Sequence, residues 1–165
     1  MKILYILRHA KSSWKDDSLA DHDRPLNKRG QKDAQSMGKL MKKLEIKPDL
    51  ILSSSAVRAS ETARLATEAA EYPGKVQLKD DLYAFEPGPF LNVLTQLDDQ
   101  IKSVMLVGHN PAMEELVTGI TGEFHPLPTA ALVQIQLPID QWGKVSFGMQ
   151  AKLKMIWRPK EIQTD

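Results

Sequence analysis

Three short apolar segments alternate with amphipathic segments along the first 120 residues, and this alternation limits the possible folds. The apolar segments are rich in aliphatic side chains, as strands buried on both faces are; they span residues 3–6, 50–52 and 103–107. The segments that follow them carry apolar residues at helical spacing; they span residues 30–44, 57–70 and 112–120. Strands that alternate with helices form a mostly parallel sheet, because parallel neighbours need a crossover connection.

The last third of the chain has a different pattern. Residues 130–137 and 151–157 alternate apolar and polar side chains, which indicates antiparallel or edge strands, and residues 142–147 are a candidate third strand between them. We therefore predict an α/β fold, a three-layer sandwich whose mostly parallel central sheet has helices on both faces and antiparallel edge strands near the C-terminus. A length of 165 residues fits a single domain spanning 1–165.

Polar clusters follow the three buried strands at the point where each strand ends. They are Arg8-His9, the segment from Ser53 to Arg58, and Gly108-His109-Asn110. The carboxyl ends of parallel strands lie at one edge of a sheet, where open α/β sheets bind their ligands. We therefore expect two arginines and two histidines to surround one point.

The chemistry of these four side chains predicts the ligand. Two guanidinium groups at one point repel each other unless an anion with more than one charge lies between them. At about 4 Å and an effective dielectric constant of about 20, each opposite pair of charges contributes about 4 kcal/mol of attraction. A phosphoryl group offers two or more charges and three acceptor oxygens, so the sequence predicts a phosphoryl pocket.

Composition excludes several alternatives. The chain has no cysteine, so disulfides, zinc–thiolate sites and thiol nucleophiles are excluded. Two histidines without a carboxylate in these motifs make a poor metal site, so we predict a site without metal and a protein without cofactor. There is no Gly-x-x-x-x-Gly-Lys phosphate-binding loop, and a formal net charge of +1 gives no footprint for nucleic acid.

Hydropathy suggests where the protein works. No apolar run approaches the ~20 residues of a membrane span. The apolar stretch before Arg8 is shorter than the roughly 7–15 residues of a signal-peptide core. We expect a cytoplasmic protein with no membrane partner.

The same residues suggest a reaction. Phosphoryl transfer needs an in-line nucleophile and neutralisation of the equatorial oxygens, and neutral imidazole is a competent nucleophile. One histidine would attack phosphorus, while the other histidine and the arginines would hold the transferring oxygens. Water would then hydrolyse the phosphohistidine intermediate.

With these motifs in place, the sequence resembles the histidine phosphatase superfamily, which is phosphoglycerate mutase-like. The resemblance runs from residue 3 to about 120. It is carried by Leu7-Arg8-His9-Ala10, Arg24-Pro25-Leu26, Arg29-Gly30, the segment from Ser53 to Ala63, and Val107-Gly108-His109-Asn110-Pro111. Within the superfamily the chain is similar to the short phosphohistidine phosphatases, which lack the long insertions of the mutases and sugar phosphatases.

The resemblance implies a role for each matching residue. His9 would be the nucleophile, and Arg8, Arg58 and His109 would bind the phosphoryl group as catalytic residues. Arg24 would be an auxiliary phosphate ligand.

One feature departs from the family pattern. Many members place an acidic general acid after the second helix, and the candidates here are Asp80, Asp81 and Glu86, of which we take Glu86. None has the usual context, and an alkoxide leaving group needs a proton, whereas a phosphoramidate needs less help. The predicted substrate is therefore phosphohistidine on a phosphorylated protein.

Three alternatives remain open from the residues alone. The chain could be a phosphatase for small phosphorylated substrates, a mutase-like transferase, or a non-catalytic module that binds phosphoproteins. Outside the motifs, His22 and His125 are predicted to be solvated loop residues.

Overall fold

The protein's structure, a computed structural model, describes residues 1–162, so the last three residues of the predicted domain lie outside the described residues. Six strands form one sheet within this range: β1 (Lys2–Arg8), β2 (Leu50–Ser54), β3 (Val76–Lys79), β4 (Ser103–Gly108), β5 (Leu132–Leu137) and β6 (Lys152–Trp157). The helices are α1 (Lys28–Lys43), α2 (Val57–Ala70), α3 (Gly88–Thr95) and α4 (Ala112–Thr121).

The strand order is β3-β2-β4-β1-β5-β6. The pairs β2–β3, β2–β4 and β1–β4 are parallel, whereas β1–β5 and β5–β6 are antiparallel. The predicted fold class is confirmed, including the antiparallel strands that extend the sheet at one edge.

The two helical layers follow from the alternation of side chains along β1. Leu4 and Ile6 face one way, into a core that contains Phe90 of α3 and Leu116 of α4. Their neighbours Tyr5 and Leu7 belong to the opposite core, which is built with α1 and α2 by Met37, Met41, Ala59, Ala63 and Ala66. Successive strand residues point to opposite faces, so this continuous apolar strand needs a helical layer on each side.

Local signals set the bounds and the spacing of the helices. The side chain of Asn27 caps α1 by accepting a hydrogen bond from the Gly30 N–H at 2.8 Å. Helix α4 is followed by its cap residue Gly122, whose φ of 78° is the left-handed conformation that glycine adopts without strain. Helices α1 and α2 approach closely at Gly38, where a Cβ would collide with the carbonyl oxygen of Ala66.

The prediction of a strand at 142–147 is wrong, because this segment begins with a short 3₁₀ helix, Trp142–Lys144. The Trp142 ring is completely buried, and its indole N–H donates to the Ile101 carbonyl at 2.8 Å. Its backbone N–H donates to Asp99 Oδ1 at 2.8 Å instead of to a neighbouring strand. Burial of the indole therefore takes this segment out of the sheet.

Strand register brings the predicted site together. Arg8 pairs with Gly108 across β1 and β4, and Ser53 pairs with Val107 across β2 and β4. These three parallel strands therefore end at the same level, and the residues after them share one edge of the sheet. No helix within residues 1–162 combines the length and apolar composition needed to cross a membrane.

Candidate active site

A cavity of about 280 Å³ lies at this edge of the sheet. Its lining residues are Arg8, His9, Lys11, Ser12, Trp14, Asp21, Arg24, Arg58, Phe85, His109, Asn110 and Thr129. The structure thus brings together every predicted site residue except Glu86. A larger groove of about 620 Å³ lies between α2 and β3, but it has no histidine among its lining residues, so the smaller cavity is the candidate active site.

The tautomer of His9 follows from its hydrogen bond. Its side chain is nearly buried, and Nδ1 lies 2.7 Å from the carbonyl oxygen of Ala10. A carbonyl oxygen only accepts, so a neutral ring places its proton on Nδ1 and its lone pair on Nε2. The Ala10 backbone is fixed in turn, because its N–H donates to Thr62 Oγ1 at 2.9 Å.

His9 is uncharged at neutral pH. Burial lowers the pKa of its imidazole to about 4, and the positive charges of Arg8, Arg58 and Arg24 act in the same direction. The hydrogen bond to Ala10 opposes this shift without cancelling it. Nε2 is therefore an available nucleophile without prior deprotonation.

Protein acceptors position the guanidinium groups of the two motif arginines. Arg8 Nη1 donates to the Leu127 carbonyl at 2.9 Å, and Arg58 Nη1 donates to the Asp21 carbonyl at 2.8 Å. The Nε atoms of both arginines are buried and have no hydrogen-bond partner within the described residues. Buried donors are usually satisfied, so these two N–H groups are candidate donors to an anion bound in the cavity.

Arg24 lies at the same cavity and is held from three sides. Its Nη1 donates to Ser12 Oγ at 2.8 Å and its Nε donates to Asp21 Oδ1 at 3.2 Å. Its guanidinium carbon lies 3.4 Å from the centroid of the Trp14 ring, which is a cation–π contact. Three guanidinium groups therefore surround one cavity.

His109 is the second imidazole of the site. Its ring centroid lies 5.3 Å from that of His9, and its Nε2 lies 2.8 Å from Ser54 Oγ. Burial lowers the pKa of His109 to about 3, and the positive charge of Arg58, together with that of His9 once it is protonated, acts in the same direction. Phe85 and Tyr83 pack against the ring at centroid distances of 5.2 and 5.6 Å.

Asp21 lines the cavity although it belongs to none of the three sequence motifs. Among the described residues it is the only acidic side chain that lines the cavity. Its carboxylate accepts hydrogen bonds from Arg58, Arg24 and the hydroxyl of Tyr83. Burial by itself would raise the pKa of Asp21, but the hydrogen bonds from Tyr83 and Arg58 outweigh it and hold the pKa at about 2. Asp21 is therefore ionised and is not a proton donor.

The side chain of His22 is partly exposed, as predicted, and it also contacts residues next to the site. Its Nε2 lies 3.0 Å from Ser55 Oγ, and its ring packs edge-on against Tyr83 at 4.8 Å. His125 is partly exposed and lies 3.4 Å from a carboxylate oxygen of Glu123. His22 and Asp21 both lie in the long segment between β1 and α1, residues 9–27, and a connection of this length is typically functional.

Glu86, the candidate general acid, lies at the surface next to Phe85 and does not line the cavity. Its predicted role stays a prediction. Within residues 1–162, no group of three histidine or acidic side chains is arranged to hold a metal ion. The cavity therefore combines three guanidinium groups, two neutral imidazoles and one ionised carboxylate, a set that can bind a phosphoryl dianion and present Nε2 of His9 to it.

Comparison with known proteins places these features in a family. The chain matches the family model of the histidine phosphatase superfamily (branch 1) over residues 4–90. It is 37% identical over 150 residues to an uncharacterised chloroplastic protein of Arabidopsis thaliana, a match that covers 84% of this chain and 68% of that protein.

Two solved structures resemble this fold over nearly their whole length. One is the candidate phosphohistidine phosphatase SixA from Agrobacterium tumefaciens, with a TM-score of 0.82, 29% identity, and coverage of 96% of this chain and 98% of that one. The other is a protein histidine phosphatase SixA in complex with tungstate, with a TM-score of 0.80 and coverage of 98% and 99%. At 20% identity, the second comparison shows the fold alone.

Proposed function

This chain belongs to the histidine phosphatase superfamily, and on that premise we propose that it is a metal-independent phosphohydrolase that acts through a phosphorylated His9. The observation that carries the proposal is the state of His9. Its Nδ1–H donates a hydrogen bond to the Ala10 carbonyl oxygen. The lone pair of Nε2 is therefore free, and His9 lines a cavity that Arg8, Arg24 and Arg58 also line.

In the first step the lone pair of His9 Nε2 attacks phosphorus. The bond from phosphorus to the leaving group breaks, and its electron pair stays with the leaving atom. The unpartnered Nε–H groups of Arg8 and Arg58 donate to the transferring oxygens, with Arg24 and His109 beside them. Donors that are already positioned stabilise the charge of the transition state without reorganisation.

In the second step water attacks the phosphorus of phospho-His9. The P–N bond breaks, its electron pair returns to Nε2, and the water oxygen becomes the fourth oxygen of inorganic phosphate. One water proton passes to the phosphate product or to solvent. Because burial and the positive charges around His9 hold its pKa low, the ring leaves as a neutral imidazole ready for another turnover.

The ionised carboxylate of Asp21 supports phosphohistidine as the substrate. An alkoxide leaving group needs a proton from a general acid, and Asp21, with a pKa of about 2, cannot supply it at neutral pH. A phosphorylated imidazole can take a proton from water on its free ring nitrogen before the P–N bond breaks, and then leaves as neutral imidazole. The likeness to SixA, named as a candidate phosphohistidine phosphatase, supports the same substrate class.

The size of the cavity supports a protein as the bearer of this group. At about 280 Å³ it lies just below the roughly 300–1,000 Å³ of ordinary small-molecule pockets. It therefore accommodates a phosphoryl group and a ring, while the rest of the substrate lies outside. A phosphohistidine side chain that projects from a folded protein has this shape.

The test compares substrates and variants. We expect kcat/KM for a protein carrying phosphohistidine to exceed that for glycerol phosphate by more than about tenfold, which corresponds to about 1.4 kcal/mol of transition-state stabilisation. His9→Gln should abolish turnover and prevent trapping of acid-labile phosphate on the enzyme, whereas His125→Gln should do neither. Added chelator should leave the rate unchanged.

Each part of the proposal can fail separately. Turnover by His9→Gln would contradict the nucleophile, and inhibition by chelator would contradict metal independence. A preference for glycerol phosphate would make the protein a small-molecule phosphomonoesterase. Phosphoprotein binding without phosphate release would make it a binding module.

A further inference from the structure

Ser54 and His109 form a buried pair behind the cavity. Ser54 is the last residue of β2 and His109 directly follows β4, its parallel neighbour. Their exposed fractions are 0% and 1%, and Ser54 Oγ lies 2.8 Å from His109 Nε2. This distance is a hydrogen bond, in which either Ser54 Oγ or His109 Nε2 donates the proton.

The surroundings of Ser54 answer this question. Its Oγ already accepts a hydrogen bond from the Ala56 N–H at 3.2 Å. Among the described residues, His109 Nε2 is the only acceptor within reach of the Ser54 hydroxyl proton. If Nε2 carried the proton, the Ser54 hydroxyl would be a buried donor without an acceptor, which is unfavourable. The hydroxyl therefore donates, and Nε2 accepts.

The state of the other ring nitrogen follows. A neutral imidazole carries one proton, and the low pKa of His109 keeps the ring neutral. With Nε2 as acceptor, that proton lies on Nδ1. Nδ1 is buried and has no hydrogen-bond partner in residues 1–162, while His109 lines the cavity.

We propose that Ser54 is a positioning residue that holds His109 in the Nδ1–H tautomer, so that His109 donates a hydrogen bond to a phosphoryl oxygen. The inference rests on the proposed function, since it assigns a task within the same site. In the opposite tautomer a lone pair on Nδ1 would be available to the anionic oxygens and would repel them. A serine hydroxyl thereby determines whether the second histidine attracts or repels the substrate.

The decisive measurement is ¹⁵N NMR of the histidine rings of the ligand-free wild-type protein. A ring nitrogen that carries a proton resonates far from a bare one, and His109→Gln identifies the signals of His109. We expect a protonated Nδ1 and a bare Nε2 at neutral pH. A protonated Nε2 would overturn the proposal, and because no turnover is involved, this result is independent of whether the protein is a phosphatase.

Variants test the role of the hydroxyl. Ser54→Ala should populate the Nε2–H tautomer and lower kcat on the phosphohistidine protein by about tenfold to a hundredfold, as expected when one charge-assisted hydrogen bond is lost from the transition state. Ser54→Thr keeps the hydroxyl and should keep the Nδ1–H signal.

The neighbouring Ser55 provides a matched control, since its hydroxyl contacts His22 instead of His109. Ser55→Ala should leave the ring signals of His109 as in the wild type. An unchanged tautomer and kcat in a folded Ser54→Ala variant would overturn the proposal. If Ser54→Ala does not fold, the wild-type spectrum still decides it.

Discussion

Asp21 binds Arg58 through two separate groups. Its backbone carbonyl accepts from Arg58 Nη1 at 2.8 Å, and its carboxylate Oδ2 accepts from Arg58 Nη2 at 3.0 Å. The other carboxylate oxygen accepts from Arg24. One side chain therefore restrains two arginines and also places a fixed negative charge beside the proposed phosphoryl position.

The charge of Asp21 should weaken the binding of inorganic phosphate and so favour release of the product. Asp21→Asn keeps the shape and the backbone carbonyl but removes the charge. We expect the inhibition constant of inorganic phosphate to fall by about threefold to tenfold, a moderate change because the carboxylate is partly solvated and its field is screened. Inhibition kinetics with p-nitrophenyl phosphate measure it.

Asp23→Asn is the matched control for this substitution. Asp23 lies two residues away and its carboxylate contacts the His22 ring at 3.4 Å, so its loss should leave phosphate inhibition unchanged. Weaker inhibition in Asp21→Asn would show that Asp21 acts mainly by positioning Arg58, contrary to the expectation.

Trp14 should contribute to substrate binding although it is 72% exposed. Its ring covers the guanidinium of Arg24, and a cation–π contact at an exposed position contributes about 0.5–1 kcal/mol. Trp14→Leu should therefore raise KM by about twofold to fivefold and leave kcat nearly unchanged. Phe124→Leu is the control, because Phe124 is 66% exposed and does not line the cavity. An equal change of KM in the two variants would contradict a role for the stacking of Trp14 on Arg24.

The parts of the site that could be predicted from the sequence are those fixed by strand periodicity. Arg8, His9 and His109 follow buried strands that had to be parallel, so their convergence follows from register. Asp21 could not be placed in this way, because its position depends on the path of the long loop between β1 and α1. In the sequence Ser54 is one of three consecutive serines. Its proposed role depends on a single contact with His109, between the ends of two neighbouring strands.

Packing predicts a large effect for one glycine substitution and a small effect for another. Helix propensity favours alanine over glycine by about 1 kcal/mol, but at Gly38 the new Cβ would collide with the Ala66 carbonyl oxygen. We expect Gly38→Ala to lower the free energy of unfolding by about 2 kcal/mol, as overpacking does. Gly88 begins α3, and apart from its chain neighbours and its own helix backbone no atom lies within 4 Å of the position that a Cβ would take there. Helix propensity favours alanine, whereas Pro89 disfavours a helical alanine before it, so Gly88→Ala should change the free energy of unfolding by less than about 1 kcal/mol.

Urea unfolding of the two variants and the wild type measures both effects. A neutral Gly38→Ala would show that the two helices can separate without cost.

The low pKa values of the two buried histidines predict that the protein loses stability in mild acid. The pKa of His9 is about 4 and that of His109 about 3, below the reference value of 6.5. Between pH 6.5 and 4 the unfolded chain therefore binds more protons than the folded protein. Stability rises with pH across this window, and it is lost as the pH falls.

Replacing the nucleophile should reduce this acid sensitivity. His9→Gln removes one buried group that resists protonation, so it should lose less stability than the wild type between pH 6.5 and 4, by a difference on the order of 2–3 kcal/mol. Urea unfolding at several pH values measures the difference, and His125→Gln, at a partly exposed histidine outside the cavity, should follow the wild-type curve. This measurement needs no substrate. Equal pH dependence in His9→Gln and wild type would show that the fold does not hold His9 neutral. We expect instead that the inactive variant loses less stability in acid than the wild type.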